Sequence, residues 1–147
     1  DDLHEKHHLI QIGIRSSGRP QSHWEETFGV RQHWAKDIKS QGISQTIDNI
    51  LNQLNDENID ELYVSFDIDA IDDSFASATG TPEPDGLMPK DAMDILRALA
   101  AKYPITGADM MEIAPFTDSC GQGVAGQEKT LKVGAEISAF LLEEMAK

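Results

Sequence analysis

The chain has 147 residues, about one domain's worth, with 26 acidic residues against 12 basic ones and a formal charge of −14. So large an acidic excess argues against nucleic acid as a partner, because phosphates would be repelled; it suits cationic substrates or metal ions, and equally a solvated surface. A single cysteine, Cys120, leaves no intrachain disulfide and fits a reducing cytoplasm, while no apolar run reaches the ~20 residues needed to cross a membrane and the opening DDLHE lacks the basic flank and apolar stretch of a signal peptide.

The first element is a strand over Leu9–Arg15, LIQIGIR, broken by Ser16-Ser17-Gly18-Arg19-Pro20. A mixed segment from Ser22 to Phe28 fits a helix, and Val30–Trp34 is a weaker strand. From Ser44, read as an N-cap, Ile47, Ile50, Leu51 and Leu54 recur on one helical face. Glu61–Asp69 is a strand whose centre is apolar on both faces, as expected of a strand covered by helices on two sides. After a long loop, Pro89–Pro104 reads as a helix with Ala92, Ile95, Leu96 and Leu99 inward. Ile105–Ile113 is a further strand, and Lys129–Ala146 a long amphipathic helix carrying Leu131, Ile137, Leu141 and Leu142. Alternation of strands and helices predicts βα crossovers and an α/β fold with a parallel sheet.

Asp67 and Asp69 end the strand YVSFDID. On a regular strand they would share a face, roughly 6.5–7 Å apart at the backbone, at the end of a parallel sheet where ligands bind. Two carboxylates there repel each other and raise a pKa, unless a divalent cation such as Mg²⁺ or Mn²⁺ joins them. Asp72 and Asp73 add negative potential nearby. The alternative is that the aspartates cap the turns that follow. An EF-hand loop counted from Asp67 fails, because Asp72 and Ala78 stand where Gly and Glu are required. A phosphatase of the haloacid-dehalogenase type also carries D-x-D at a strand end; here Ala70 and Ile71 follow instead of a nearby Gly and Thr, and that reading stays as the outsider.

The whole stretch SFDIDAIDDSFASATGTPEPDGL resembles a signature of the ureohydrolases, the arginase and agmatinase family, at Ser65, Phe66, Asp67, Asp69, Gly80, Thr81, Pro82 and Gly86. Asp73 stands where that family usually has proline, and Asp85 where it usually has glycine. DMMEIAP (Asp109–Pro115) is similar to the family's last-strand motif, and QIGIRS (Gln11–Ser16) is weakly similar to another of its strands. The resemblance implies a three-layer α/β/α fold with a mainly parallel sheet, of which 1–147 would be a single domain, the C-terminal part.

The resemblance also implies a chemistry: two Mn²⁺ ions share a bridging hydroxide that attacks the carbon of a guanidinium or amidine. It makes Asp67 a ligand of both ions, Asp69 a ligand of one, Glu112 the partner of the substrate's cationic group, and Thr81 part of the pocket wall. Read without the family, Glu112 is a carboxylate at the end of an apolar strand, costly to bury unless a cation such as a guanidinium meets it. ASATGTPEPDGL and MEIAP look closer to the agmatinase-like branch, which would convert agmatine to putrescine and urea. The family's other metal ligands come from a G-G-x-H-like segment and an H-x-D-x-H-x-D-like strand, and neither occurs here. The expectation is a partial site, inactive alone, in a homo-oligomer or with a complementing N-terminal segment. The alternative is a non-catalytic piece serving assembly.

Two formal matches are set aside. HEKHH (His4–His8) has zincin spacing but precedes a strand instead of lying in a helix. GQGVAG (Gly121–Gly126) has P-loop spacing, but Gln127 and Glu128 follow where Lys and Ser/Thr are needed, so it reads as a flexible loop. Trp24, His33 and Trp34 are read as packing or interface residues.

Overall fold

The computed structural model describes residues 8–57, 59–117 and 121–147. They fall into two compact units that part between Ile59 and Asp60. His4, His7 and Cys120 lie outside the described residues. No helix among the described residues is long and apolar enough to cross a membrane.

The first unit runs β1 (Ile10–Ile14), α1 (Gln21–Phe28), β2 (Arg31–Trp34), α2 (Ala35–Gln41) and α3 (Ile43–Asp56). β1 and β2 pair in parallel, with Ile10 opposite Arg31. Parallel neighbours need a crossover instead of a tight turn, and α1 is in that connection. Gly29, at φ 66°, ends α1 in the left-handed conformation and donates its N–H to the carbonyl of Glu25. α2 was not expected. Its seven residues bury only Ala35 and Ile38, too few to display a helical period. The expected cap of α3 is corrected: Gly42, at φ 88°, holds the N-cap position, with no side-chain cap bond, and Ser44 lies inside the helix. His33 is buried and bonds Gln53 at 2.9 Å, as a packing residue does.

The second unit runs β3 (Leu62–Asp67), a 3₁₀ turn (Ile68–Ala70), α4 (Pro89–Ala100), β4 (Ile105–Met111) and α5 (Gly123–Met145). β3 and β4 pair in parallel, with Tyr63 opposite Gly107, Ser65 opposite Asp109 and Asp67 opposite Met111. α5 packs on β4 and α4. β3 does not have two covered faces. Leu62, Val64 and Phe66 are half-buried, whereas Tyr63, Ser65 and Asp67 are exposed, and Tyr63 retains 67% of its surface. The open face is polar: the Tyr63 and Ser65 hydroxyls both donate to Asp109, each at 2.7 Å.

α5 begins at Gly123, six residues before the expected start, so Gly123–Gly126 form its first turn and not a loop. Its buried stripe is Gly126, Thr130, Val133, Gly134, Ile137 and Leu141, while Leu131 and Leu142 are 45% and 63% exposed. Ile137 and Leu141 are buried as expected, but small residues carry half of that stripe, so the large apolar residues alone do not mark it. The glycines allow close contacts. A Cβ on Gly126 would lie 2.3 Å from Ser77 Oγ, and one on Gly134 2.5 Å from Ile113 Cδ1.

The loop between β3 and α4 is closed and ordered. Ile71 bridges Leu87, and Asp72 N–H donates to Leu87 O at 3.0 Å. The Asp72 carboxylate accepts the amide and hydroxyl of Ser74 and the amides of Asp85 and Gly86. Burial pushes its pKa up, but these bonds outweigh that and hold it below the ordinary carboxylate value. Asp85 adopts φ 61°, the conformation of the glycine it replaces in the resembled signature, and aspartate tolerates it better than most residues. Asp73 N–H donates to Glu83 O at 3.3 Å, a bond that proline could not make. Ala78 N–H donates to Thr130 Oγ1 at 3.0 Å, fastening the loop to α5.

Two outcomes are expected. Gly126→Ala destabilises the chain by about 1–3 kcal/mol in chemical denaturation, and Ser77→Gly in the same chain recovers part of that loss. Asp72→Ala costs about 1–3 kcal/mol at pH 7 through orphaned loop amides. Because the folded pKa of Asp72 lies below its ordinary 3.8, that difference persists down to about pH 3.8 and fades as pH falls further.

Candidate functional site

The site lies at the C-terminal tips of β3 and β4. A residue at the end of a strand can point its side chain beyond the sheet, where no neighbouring strand competes for it. Asp67 is the last residue of β3 and Asp69 the second of the 3₁₀ turn. The two do not share a strand face, as regular alternation predicts. The chain turns sharply after Asp67, and Asp69 N–H donates to Asp67 Oδ1 at 3.1 Å. Asp67 therefore caps a turn as well as presenting a carboxylate, so the two readings of the pair are compatible.

The turn also exposes Asp69 to the loop. Thr81 Oγ1 donates to Asp69 Oδ2 at 2.5 Å. Of the four residues singled out from the sequence, Asp67, Asp69 and Thr81 are thus joined by direct bonds. Glu112 comes from β4, one residue past Met111, and stands at φ 62°, in the left-handed region. Its carboxylate lies over the loop glycine: a Cβ on Gly80 would sit 3.3 Å from Glu112 Oε2. Glycine at position 80 leaves room for that approach.

Electrostatics separates Asp67 from an ordinary surface acid. Asp67 has its pKa raised, first by loss of water around its carboxyl, then by the charge of Asp69 and a side-chain hydrogen bond to it, and further by the charge of Glu112; the Asp69 amide pulls the other way without prevailing. Although Asp67 is exposed as a residue, the groups around its carboxyl come from both strand tips and the turn. Like charges gathered in this way favour a cation among them.

The donor set tests what that cation could be. Carboxylate oxygens suit a hard divalent ion. Asp67 and Asp69 supply two such groups, but among the described residues no three or more His, Cys, Asp or Glu are drawn close enough to hold a metal ion. The chemistry of the donors fits; their number does not complete a site.

Three contributors escaped the sequence reading. Gly80 was matched only as a motif letter, and its role under Glu112 needs the fold. Asp72 turns inward to organise the loop instead of adding charge to the site. Thr117 reaches back to the loop, as described below.

The profile of the Arginase family matches residues 1–142. The chain belongs to the arginase family. Proclavaminate amidinohydrolase of Streptomyces clavuligerus is 34% identical over 141 residues, 95% of this chain and 42% of the relative. The agmatinase of Chromobacterium violaceum is 36% identical over 110 residues, 74% of this chain and 31% of the relative. Among solved structures, the Bacillus subtilis arginase superposes with a TM-score of 0.76 at 24% identity, covering 95% of this chain and 45% of that one. The S. clavuligerus enzyme gives 0.69 at 29% identity, covering 96% and 44%. The chain has an arginase-like α/β fold and spans less than half the length of these relatives, so the fold is incomplete relative to theirs. The site described above thus lies in a family of hydrolases.

In metal-free buffer at pH 7, Asp67→Asn is expected to raise the melting temperature of this arginase-family chain, because it removes one of the crowded charges while an oxygen remains to cap the turn. The raised carboxylate pKa makes ionised Asp67 a penalty that is full above its folded pKa and absent below the unfolded 3.8, so the gain should vanish near pH 3.8. A lower melting temperature at pH 7 would show that the charge is already compensated.

Proposed function

We propose that this chain supplies part of the active site of a manganese-dependent hydrolase acting on a linear guanidino or amidino compound, with agmatine, cleaved to putrescine and urea, as the best candidate. The observation that supports it is the placement of Asp67, Asp69 and Glu112 at the same end of two parallel strands, in a chain of the arginase family. The single-domain piece 1–147 would be completed by an N-terminal segment, in a cytoplasmic homo-oligomer.

Each residue has a distinct task in this reading. Asp67 and Asp69 hold the divalent ions, with Thr81 fixing the rotamer of Asp69 through its hydroxyl. Two Mn²⁺ ions, when bound, supply water activation and Lewis-acid stabilisation of the developing charge. Glu112 accepts the guanidinium of the substrate; two parallel N–H···O bonds would orient the reacting carbon as well as bind it.

The two-donor count favours a second reading, in which the chain serves assembly and carries no catalysis. The two are separated by assaying urea release from agmatine, arginine and guanidinobutyrate under manganese titration. The isolated chain should release none, whereas the longest reading frame that contains it should turn over agmatine. In that longer protein, Glu112→Gln should raise KM for agmatine roughly 10–100-fold through loss of a charge-assisted pair. Robust turnover by the 147-residue chain alone would refute the partial-site reading, and a longer protein inert with every substrate would favour assembly.

A further inference from the structure

Glu112 occupies a conformation that its sequence does not favour. A non-glycine residue at φ 62° is strained and persists only where its surroundings hold it. On one side the holding is plain: Met111 is paired opposite Asp67 in the strand ladder. On the other side β4 has ended, and the chain would be free to relax.

Three bonds stop it. Ala114 N–H donates to Ala78 O at 3.0 Å, tying the segment to the loop. Ala114-Pro115-Phe116-Thr117 then forms a β-turn, closed by Thr117 N–H on Ala114 O at 3.0 Å, with proline at the position that favours it. The Thr117 hydroxyl lies 2.7 Å from Ala114 O and 3.1 Å from Thr79 O. It has one proton for two acceptors, so it forms a three-centre bond that bridges the turn and the loop. Its second acceptor is the carbonyl of the residue just before Gly80, the glycine beneath the Glu112 carboxylate. Two residues later, Thr81 holds Asp69.

We propose that Thr117 is a positioning residue for Glu112: its hydroxyl locks the turn after Glu112 to the loop bearing Gly80 and Thr81, and so fixes the separation between the Glu112 and Asp69 carboxylates. The importance of that separation rests on the proposed hydrolase reading, whereas the tether itself can be measured without substrate. Valine at 117 keeps the shape and removes the hydroxyl; serine keeps the hydroxyl.

The test uses the full chain in solution. Nuclear Overhauser contacts between Glu112 Hγ and Gly80 Hα should be present in the wild type and in Thr117→Ser, and lost in Thr117→Val. Thr117→Ala removes the hydroxyl without added bulk and serves if the valine variant fails to fold. In the longest reading frame that contains the chain, agmatine titrated in the presence of Mn²⁺ should bind Thr117→Val about three- to tenfold more weakly, in line with one lost hydrogen bond, with Thr117→Ser near wild type. Contacts retained in Thr117→Val, or lost equally in Thr117→Ser, would overturn the proposal. Contacts that behave as expected while that longer protein binds no agmatine would support the tether and count against the hydrolase reading alone.

Discussion

The parallel pairing of β3 with β4, strand ends flush, is the constraint on which the site depends. With Asp67 opposite Met111, the last residue of one strand and the first residue beyond the other come to the same end of the sheet. Like charges are thereby brought near one another, and the pKa of Asp67 is raised, first by loss of water around its carboxyl and then by the charges of Asp69 and Glu112. Backbone hydrogen bonds along the ladder, reinforced by burial of Leu62, Val64 and Phe66 on one side, oppose the repulsion. A one-residue slip would turn those apolar side chains outward and separate Asp67 from Glu112 together.

The loop turns this arrangement from a crowd into a site. Asp72, one of four acids within seven positions, is the one whose charge is spent inward, on the amides of Ser74, Asp85 and Gly86. That leaves Asp67 and Asp69 facing out. Aspartates adjacent in sequence therefore have opposite tasks, set by which backbone N–H groups the turn brings to each. Membership of the arginase family agrees with this division, since the Gly80-Thr81-Pro82 turn and the Asp67–Asp69 pair both belong to the stretch that resembles its signature.

Much of the fold was legible. The four strands of the described residues were each anticipated within a residue or two, β1 by an apolar β-branched run and β2 only weakly, and Pro89 marked the start of α4, which ends at Ala100, short of the expected stop at Pro104. The pairing of Asp67 with Asp69 was legible as a motif, but not its geometry, because a 3₁₀ turn leaves no periodic trace in three residues. The start of α5 was missed for a different cause. Gly123 and Gly126 argue locally for a loop, and the close approach of Ser77 to Gly126, which accounts for a small residue within the helix, cannot be read from spacing. Thr117 was invisible: a hydroxyl acting on carbonyls distant in the chain has no spacing to be recognised by.

The two contact glycines of α5 have a geometric consequence. Gly126 meets Ser77 in the loop that leads to Gly80, and Gly134 meets Ile113 beside Glu112. Eight residues of helix separate them, about 12 Å of rigid rod at 1.5 Å per residue. α5 thus works as a ruler with two notches, each seating one arm of the site. Inserting a single residue between the notches would turn one of them by about 100°, and the arms would lose their common gauge though neither carboxylate had been touched.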